Sequence, residues 1–182
     1  MYNTLDWYDL DGTLFGSPNE PPHWPESKWF YGIHSLSPPY VPKIPGPEWW
    51  NERVVSQARQ SIADPTTFSV MATGRWEAVF GVRVRSLLAA KHLAFNQVLL
   101  NPGMDTAEWK GDLITQLALR LRVDTVRIWD DREHHLVHFH KVLAGLNTAA
   151  AKLFHVTDTE HPDALSVGMV KRVARQWVIR NP

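Results

Sequence analysis

Cysteine is absent from the 182-residue chain. Disulfides, thiolate catalysis and cysteine-ligated zinc are therefore excluded. An excess of charge is also missing, because 19 Lys and Arg balance 19 Asp and Glu. That balance argues against broad, non-specific coating of nucleic acid and leaves room only for a local basic groove. No apolar run approaches the length that spans a bilayer, so no membrane partner is expected. The N-terminus lacks a basic segment followed by an apolar one, so no signal peptide is expected and a soluble, cytoplasmic protein is the default. Internal repeats are lacking. Hydrophobic residues make up 44% and charged residues 21%, enough for a real core in one domain over residues 1–182. A monomer or small homo-oligomer is expected.

What the chain does have is tryptophan and proline. Five of its nine tryptophans (Trp7, Trp24, Trp29, Trp49, Trp50) lie in the first fifty residues, and most of its 13 prolines fall between Gly16 and Pro47. Prolines bar that insert, residues 16–47, from helix interiors and central strands. Its aromatics favour an ordered flap over a floppy linker. They either stack on bases or pack the flap against the sheet. Elsewhere the pattern is regular. "TLDWYDL" reads as a strand, and "PEWWNERVVSQARQSIA" as a helix with Pro47 at its start. "TTFSVMAT" reads as a strand ending at Thr73, "WEAVFGVRVRSLLAAKHL" as a helix and "NQVLLN" as a strand. "TAEWKGDLITQLALRLR" reads as a helix capped by Thr106. "VDTVRIWDD" is a strand, "EHHLVHFHKVLAGL" a helix and "AAAKLFHVT" a strand. "HPDALSVGMVKRVARQWVI" contains a closing helix, whose basic "KRVARQWVIR" stretch suits docking with a solvated face. Strands alternating with helices predict an α/β fold, a three-layer Rossmann-like parallel sheet.

In such a fold every strand's carboxyl end lies on one edge. Asp9 and Asp11 of "DLDGTL" end the first strand, Thr73 the second, and Asp130 and Asp131 of "WDD" a later one, with Lys110 on the helix before it. Four gathered carboxylates repel, so a hard divalent cation, Mg²⁺, is the economical partner. The hydroxyl, the lysine, and the N–H groups of the Gly12-Thr13 turn suit a phosphate. Gly74 and Arg75 of "TGR" join as substrate-binding candidates, with a structural ion pair as the other reading of Arg75. His134, His135, His138 and His140 crowd one helix but lack a third metal ligand.

"DLDGTL", "ATGR", "WK" at Trp109-Lys110 and "WDD", in that order, resemble the four motifs of the haloacid dehalogenase-like phosphohydrolases. "DLDGTLFGSP", "WW" at Trp49-Trp50, "TGR" and "DDREHHLVHF" are similar to the phosphatase domain of Swiss Army Knife RNA-repair proteins. The resemblance implies a haloacid dehalogenase-like core and a Mg²⁺-dependent phosphatase working through an aspartyl-phosphate. Asp9 would be nucleophile and metal ligand. Asp11 would be the general acid/base and give its backbone carbonyl to the metal. Thr73 and Lys110 would hold phosphoryl oxygens. Asp130 and Asp131 would complete the metal site, with Arg132 and His135 beside them on the substrate side. The implied substrate is a phosphorylated polynucleotide end, DNA or RNA.

Between Thr73 and Lys110 there is room for a helix, a strand and a linker, so little or no cap is expected. An open site favours large substrates. Two alternatives stand beside the polynucleotide phosphatase. One is a small-molecule or nucleotide phosphomonoesterase of the same mechanism, and the other a non-catalytic binding module with the same fold.

Overall fold

The computed structural model describes residues 1–22, 24, 28–146, 150–157 and 178–180. Strand β1 (Thr4–Tyr8) alternates Leu5 and Trp7 on one face with Asp6 and Tyr8 on the other, all buried. Burial on both faces is what a central strand of a parallel sheet requires. β1 pairs in parallel with β2 (Thr67–Trp76) on one side and β4 (Thr125–Asp130) on the other. β3 (Gln97–Asn101) and β5 (Ala150–Thr157) extend the sheet outward, also in parallel. A short β6 (Val178–Arg180) adds antiparallel to β5, giving the order β3-β2-β1-β4-β5-β6.

Helices α1 (Glu52–Ala63) and α2 (Glu77–Ala90) cover one face. There Val54, Val55, Phe80 and Val84 pack on Tyr8, Met71 and Leu100. Helices α3 (Thr106–Leu121) and α4 (Glu133–Ala144) cover the other, where Ile114, Leu117, Leu136 and Phe139 pack on Trp7, Val70 and Ile128. The expected three-layer α/β architecture is present. Among the described residues no helix is long and apolar enough to cross a membrane.

Four local expectations are corrected. Pro47 does not start α1: Pro47–Trp49 is a separate 3₁₀ turn, Trp50 is extended, and Asn51 caps α1 by accepting from Val54 N at 3.3 Å. Thr106 is not the cap of α3. Asp105 accepts from Glu108 N at 3.0 Å, and Thr106 is the first helical residue. A carboxylate caps well and also meets the positive end of the helix dipole. Strand β2 does not end at Thr73 but runs to Trp76, with a register shift against β3 between those two residues. Finally, most of the expected closing helix lies outside the described residues, and Val178 and Ile179 are strand.

The insert is an ordered strap of 3₁₀ turns at Trp29–Tyr31 and Ile33–Leu36. Two arginines hold it by its backbone. Arg83 of α2 donates to the carbonyls of Leu36 (2.6 Å), Pro42 and Lys43 (both 2.7 Å). Arg75 of β2 donates to the carbonyl of Phe30 at 2.5 Å and to the Ser35 hydroxyl. Prolines deprive the strap of N–H donors, so its free carbonyls depend on outside donors such as these.

Candidate active site

The parallel register sets Tyr8 opposite Trp129, so the residues that follow each, Asp9 and Asp130, leave the sheet side by side. Asp9 N donates to the Trp129 carbonyl at 2.9 Å and fixes the start of the loop. The chain then turns sharply: Leu14 N and Phe15 N donate to the Leu10 carbonyl, and Gly12 N donates to that of Phe15. Gly12 sits at φ +74°, and a Cβ there would fall 2.4 Å from Asp131 Oδ2. Only glycine satisfies both the left-handed backbone and the close approach. Gly12→Ala is therefore expected to lower stability by about 1–3 kcal/mol through backbone strain. It should also displace Asp131, and the combined effect should be visible as a lower Tm.

Lys110, buried on the first turns of α3, donates to Asp9 Oδ1 at 2.7 Å and to Asp130 Oδ2 at 3.0 Å. Asp130 also accepts from Arg132 N at 3.0 Å and contacts His135 Nδ1 at 3.2 Å. Burial alone would raise its carboxyl, but Lys110 and His135 outweigh that and hold it well below the ordinary range. The same two carboxylates, Asp130 and Asp9, hold the Lys110 ammonium above its ordinary value despite burial.

Asp11 belongs to a second cluster. Arg75 grips it with Nη2 at 2.8 Å and Nε at 3.1 Å to Oδ1, Thr73 Oγ1 donates to Oδ2 at 3.1 Å, and the Ser17 hydroxyl donates as well. Burial would raise the Asp11 carboxyl, but the Arg75 guanidinium and these hydrogen bonds hold it low. The register shift in β2 accompanies this aim of Arg75, whose N–H donates to Thr73 Oγ1 at 3.1 Å. Such bulges commonly redirect a side chain toward a site. Of the two readings of Arg75, the structure has the ion pair. Thr73 likewise spends its hydroxyl proton on Asp11.

Asp9 has only a share of Lys110, and Asp131 has less relief still. Burial pushes the Asp9 carboxyl up to about 6 against the pull of Lys110, with Asp130 and Asp11 adding to the rise. Burial, then the charges of Asp9 and Asp130, raise the Asp131 carboxyl well above its ordinary value. Asp131 Oδ1 is buried with no hydrogen-bond partner, and Thr13 Oγ1 is in the same state. Asp9, Asp130 and Asp131 each offer an oxygen within 4.8 Å of the others. An all-carboxylate set with an orphaned oxygen fits a hard divalent cation. The α4 histidines form no such group among the described residues. His135 instead supports Asp130, and the His138 ring lies over Gly111, where a Cβ would sit 2.7 Å from its Nε2.

A cavity of about 300 Å³ opens beside the Asp11 cluster, lined in part by Asp11, Ser17, Phe30, Arg75, Asp131 and Arg132. Gly74 stands beside it in β2 against Thr106. Sequence reasoning missed four supporting groups. Ser17 holds Asp11, Ser35 and the Phe30 carbonyl hold Arg75, and His155 Nε2 donates to the Asp131 carbonyl at 3.0 Å. Only Ser17 lies in a motif, at the end of "DLDGTLFGSP". Register is the only signal for His155, which pairs with Asp130.

Comparison with known proteins bears on the family of the chain. The sequence model of HAD domain family 1 in Swiss Army Knife RNA repair proteins matches residues 19–174. The chain is also similar to two solved structures. One is the HAD domain of effector protein Lem4 from Legionella pneumophila, an inactive mutant: 9% identity, 83% of this chain and 84% of that one, TM-score 0.46. The other is the Legionella pneumophila effector Ceg4 with an N-terminal yeast Hog1p sequence: 12% identity, 83% and 86%, TM-score 0.49.

Proposed function

From a chain that belongs to HAD domain family 1 of the Swiss Army Knife RNA repair proteins, we propose a Mg²⁺-dependent phosphatase that removes a terminal phosphate from a polynucleotide. The observation that carries the reading is the unequal treatment of four carboxylates. Asp11 is gripped by Arg75 and Asp130 is held by Lys110 and His135, whereas Asp9 only shares Lys110 and Asp131 keeps a buried oxygen with no hydrogen-bond partner. Asp9, Asp130 and Asp131 would hold Mg²⁺, with the Asp11 carbonyl as a further ligand. When bound, the ion neutralises charge on the phosphoryl oxygens.

The chain's own residues do the rest. An Asp9 oxygen bonds to phosphorus as the ester P–O bond breaks, and the leaving oxygen takes a proton from Asp11. Water then attacks the aspartyl-phosphate and gives a proton to Asp11. The bond to Asp9 breaks, releasing inorganic phosphate. Lys110 keeps Asp9 ionised and placed, and Arg75 does the same for Asp11. The low proton affinity of Asp11 suits its role as base in the second step and makes its protonation the demanding part of the first. The guanidinium of Arg132, which lines the cavity, is available to phosphoryl oxygens. A cavity open to the surface accepts the end of a polymer, whereas a small metabolite needs a lid to exclude water.

Phosphate release from end-phosphorylated oligonucleotides, mononucleotides and an aryl phosphate, with Mg²⁺ or EDTA, tests this. Cleavage of mononucleotides alone would remove the polynucleotide substrate. No cleavage of any would leave a binding module.

Metal binding has its own signature. Raised carboxyls make the metal-free fold most stable while Asp9 and Asp131 are protonated, and that stability is lost as pH rises through about 6 for Asp9. A cation must displace those protons, so its affinity rises over the same range. Added Mg²⁺ is expected to raise Tm clearly at pH 7.5 and much less at pH 5. An equal rise at both pH values would contradict the assignment.

A further inference from the structure

Resting on the polynucleotide reading above, we propose that Tyr31 and Trp76 form a stacking platform for the base next to the phosphorylated end of a single strand. The structure sorts the aromatics of the insert by what they already touch. Trp29 is buried and donates its indole N–H to the Pro18 carbonyl at 3.0 Å. Trp24 packs on Trp29, His34 and Tyr40, with ring centroids 4.7, 5.3 and 5.9 Å away. These rings hold the strap together. Phe30 lines the cavity, with the Arg75 guanidinium 3.9 Å from its ring centroid.

Two rings remain open. Tyr31 is 42% and Trp76 38% exposed. They meet at 4.9 Å with a tilt of 37°, and Tyr31 stands edge-on to Phe30 at 5.5 Å and 88°. The series Phe30, Tyr31, Trp76 thus leads from the cavity wall to the surface. Both ends of it are rigid. Trp76 closes β2 at the edge of the sheet where the site lies, paired with Asn101 of β3. Tyr31 follows Phe30, whose carbonyl Arg75 holds. Arg132, with its guanidinium 5.8 Å from the Phe30 ring, flanks the inner end with positive charge suited to a backbone phosphate. Pre-set aromatics beside a cation are the recurrent elements of single-strand recognition, and each stacked base is sequence-tolerant because every base has a π-face. A mononucleotide would end at the cavity and leave the platform empty.

Two arms test the proposal in the full-length protein. The first compares kcat/KM on an end-phosphorylated hexanucleotide with that on an aryl phosphate. Tyr31→Ala and Trp76→Ala should each lower the oligonucleotide-to-aryl ratio by about fivefold or more, mainly through KM, the lower bound of one lost stacking contact. Trp76→Phe should recover most of the loss. The second arm needs no turnover: anisotropy of a labelled, unphosphorylated hexanucleotide should report weaker binding by the same factor. Unchanged ratios, unchanged binding, or no binding by the parent protein would overturn the platform. So would an equal loss on a phosphoserine peptide, which would assign the rings to protein substrates. If the parent cleaves nothing yet binds the hexanucleotide through these rings, the phosphatase reading fails and the platform stands.

Discussion

Asp9→Asn is expected to lower kcat on any phosphate monoester by about 10⁴-fold or more, the scale on which covalent catalysis loses its nucleophile. An amide cannot form the aspartyl-phosphate, and neither Asp11 nor Asp130 is free to take its place. Asp11 is held by Arg75, and Asp130 by Lys110 and His135. The variant should nevertheless fold. The parent carboxyl is pushed up to about 6 by burial, against Lys110 and with the neighbouring Asp130 and Asp11 charges, so ionising it costs stability at neutral pH. Removing that charge leaves Lys110 still paired with Asp130. In EDTA at pH 7.5, Asp9→Asn should melt no lower than the parent chain, while its Mg²⁺-induced Tm rise should shrink. Circular dichroism melts and stopped phosphate-release assays read both. An active Asp9→Asn protein would refute the nucleophile assignment, and a sharply lower Tm would refute the stated cost of ionising Asp9.

Arg75→Met should have the largest effect on folding. Its guanidinium is buried at the junction of three parts: Asp11 of the site, Phe30 and Ser35 of the strap, and the Phe80 ring of α2 at 4.8 Å. Methionine keeps some apolar bulk but leaves the Asp11 charge without its buried partner. Breaking one side of a buried ion pair typically costs about 3–5 kcal/mol. Urea midpoints should fall accordingly, by roughly 1–5 M for a slope near 1–3 kcal/mol per M. One carbonyl and one hydroxyl acceptor in the strap, at Phe30 and Ser35, also lose their donor. Limited proteolysis should therefore cut first between residues 16 and 47, before global unfolding. Loss of Arg75 also removes the main force keeping Asp11 ionised, so residual activity should shift its basic-side requirement to higher pH. A variant with unchanged urea midpoint and unchanged strap protection would show that Arg75 is not the joint described.

The large features of this molecule were legible one residue at a time. Alternating apolar strands and amphipathic helices predicted the parallel sheet. The D-x-D-G-T stretch, the threonine, the lysine and the acidic pair predicted which strand ends would meet. The local misreadings share one cause. Caps are decided by competition between neighbours: Asp105 prevails over Thr106, and Asn51 over Pro47, because each presents a side-chain oxygen to a free N–H two or three residues on. Propensity alone cannot rank such close contenders. The extension of β2 to Trp76 depends on β3 lying alongside it, which no window of β2 contains.

The site divides in the same way. Residue type and order determined that Asp9, Asp11, Thr73, Lys110, Asp130 and Asp131 share one edge, because right-handed parallel crossovers leave no other arrangement. The tertiary structure alone decided how those charges are apportioned. Lys110 bridges Asp9 and Asp130, Arg75 takes Asp11, and Asp131 is left with a bare oxygen. It alone also turned the strap into a fixed wall, by setting Arg75 and Arg83 under carbonyls some forty residues distant. Spacing along a chain conveys which groups are available. Ion pairing depends on ångström-scale separations and burial across the fold, and those exist only once the chain has closed on itself.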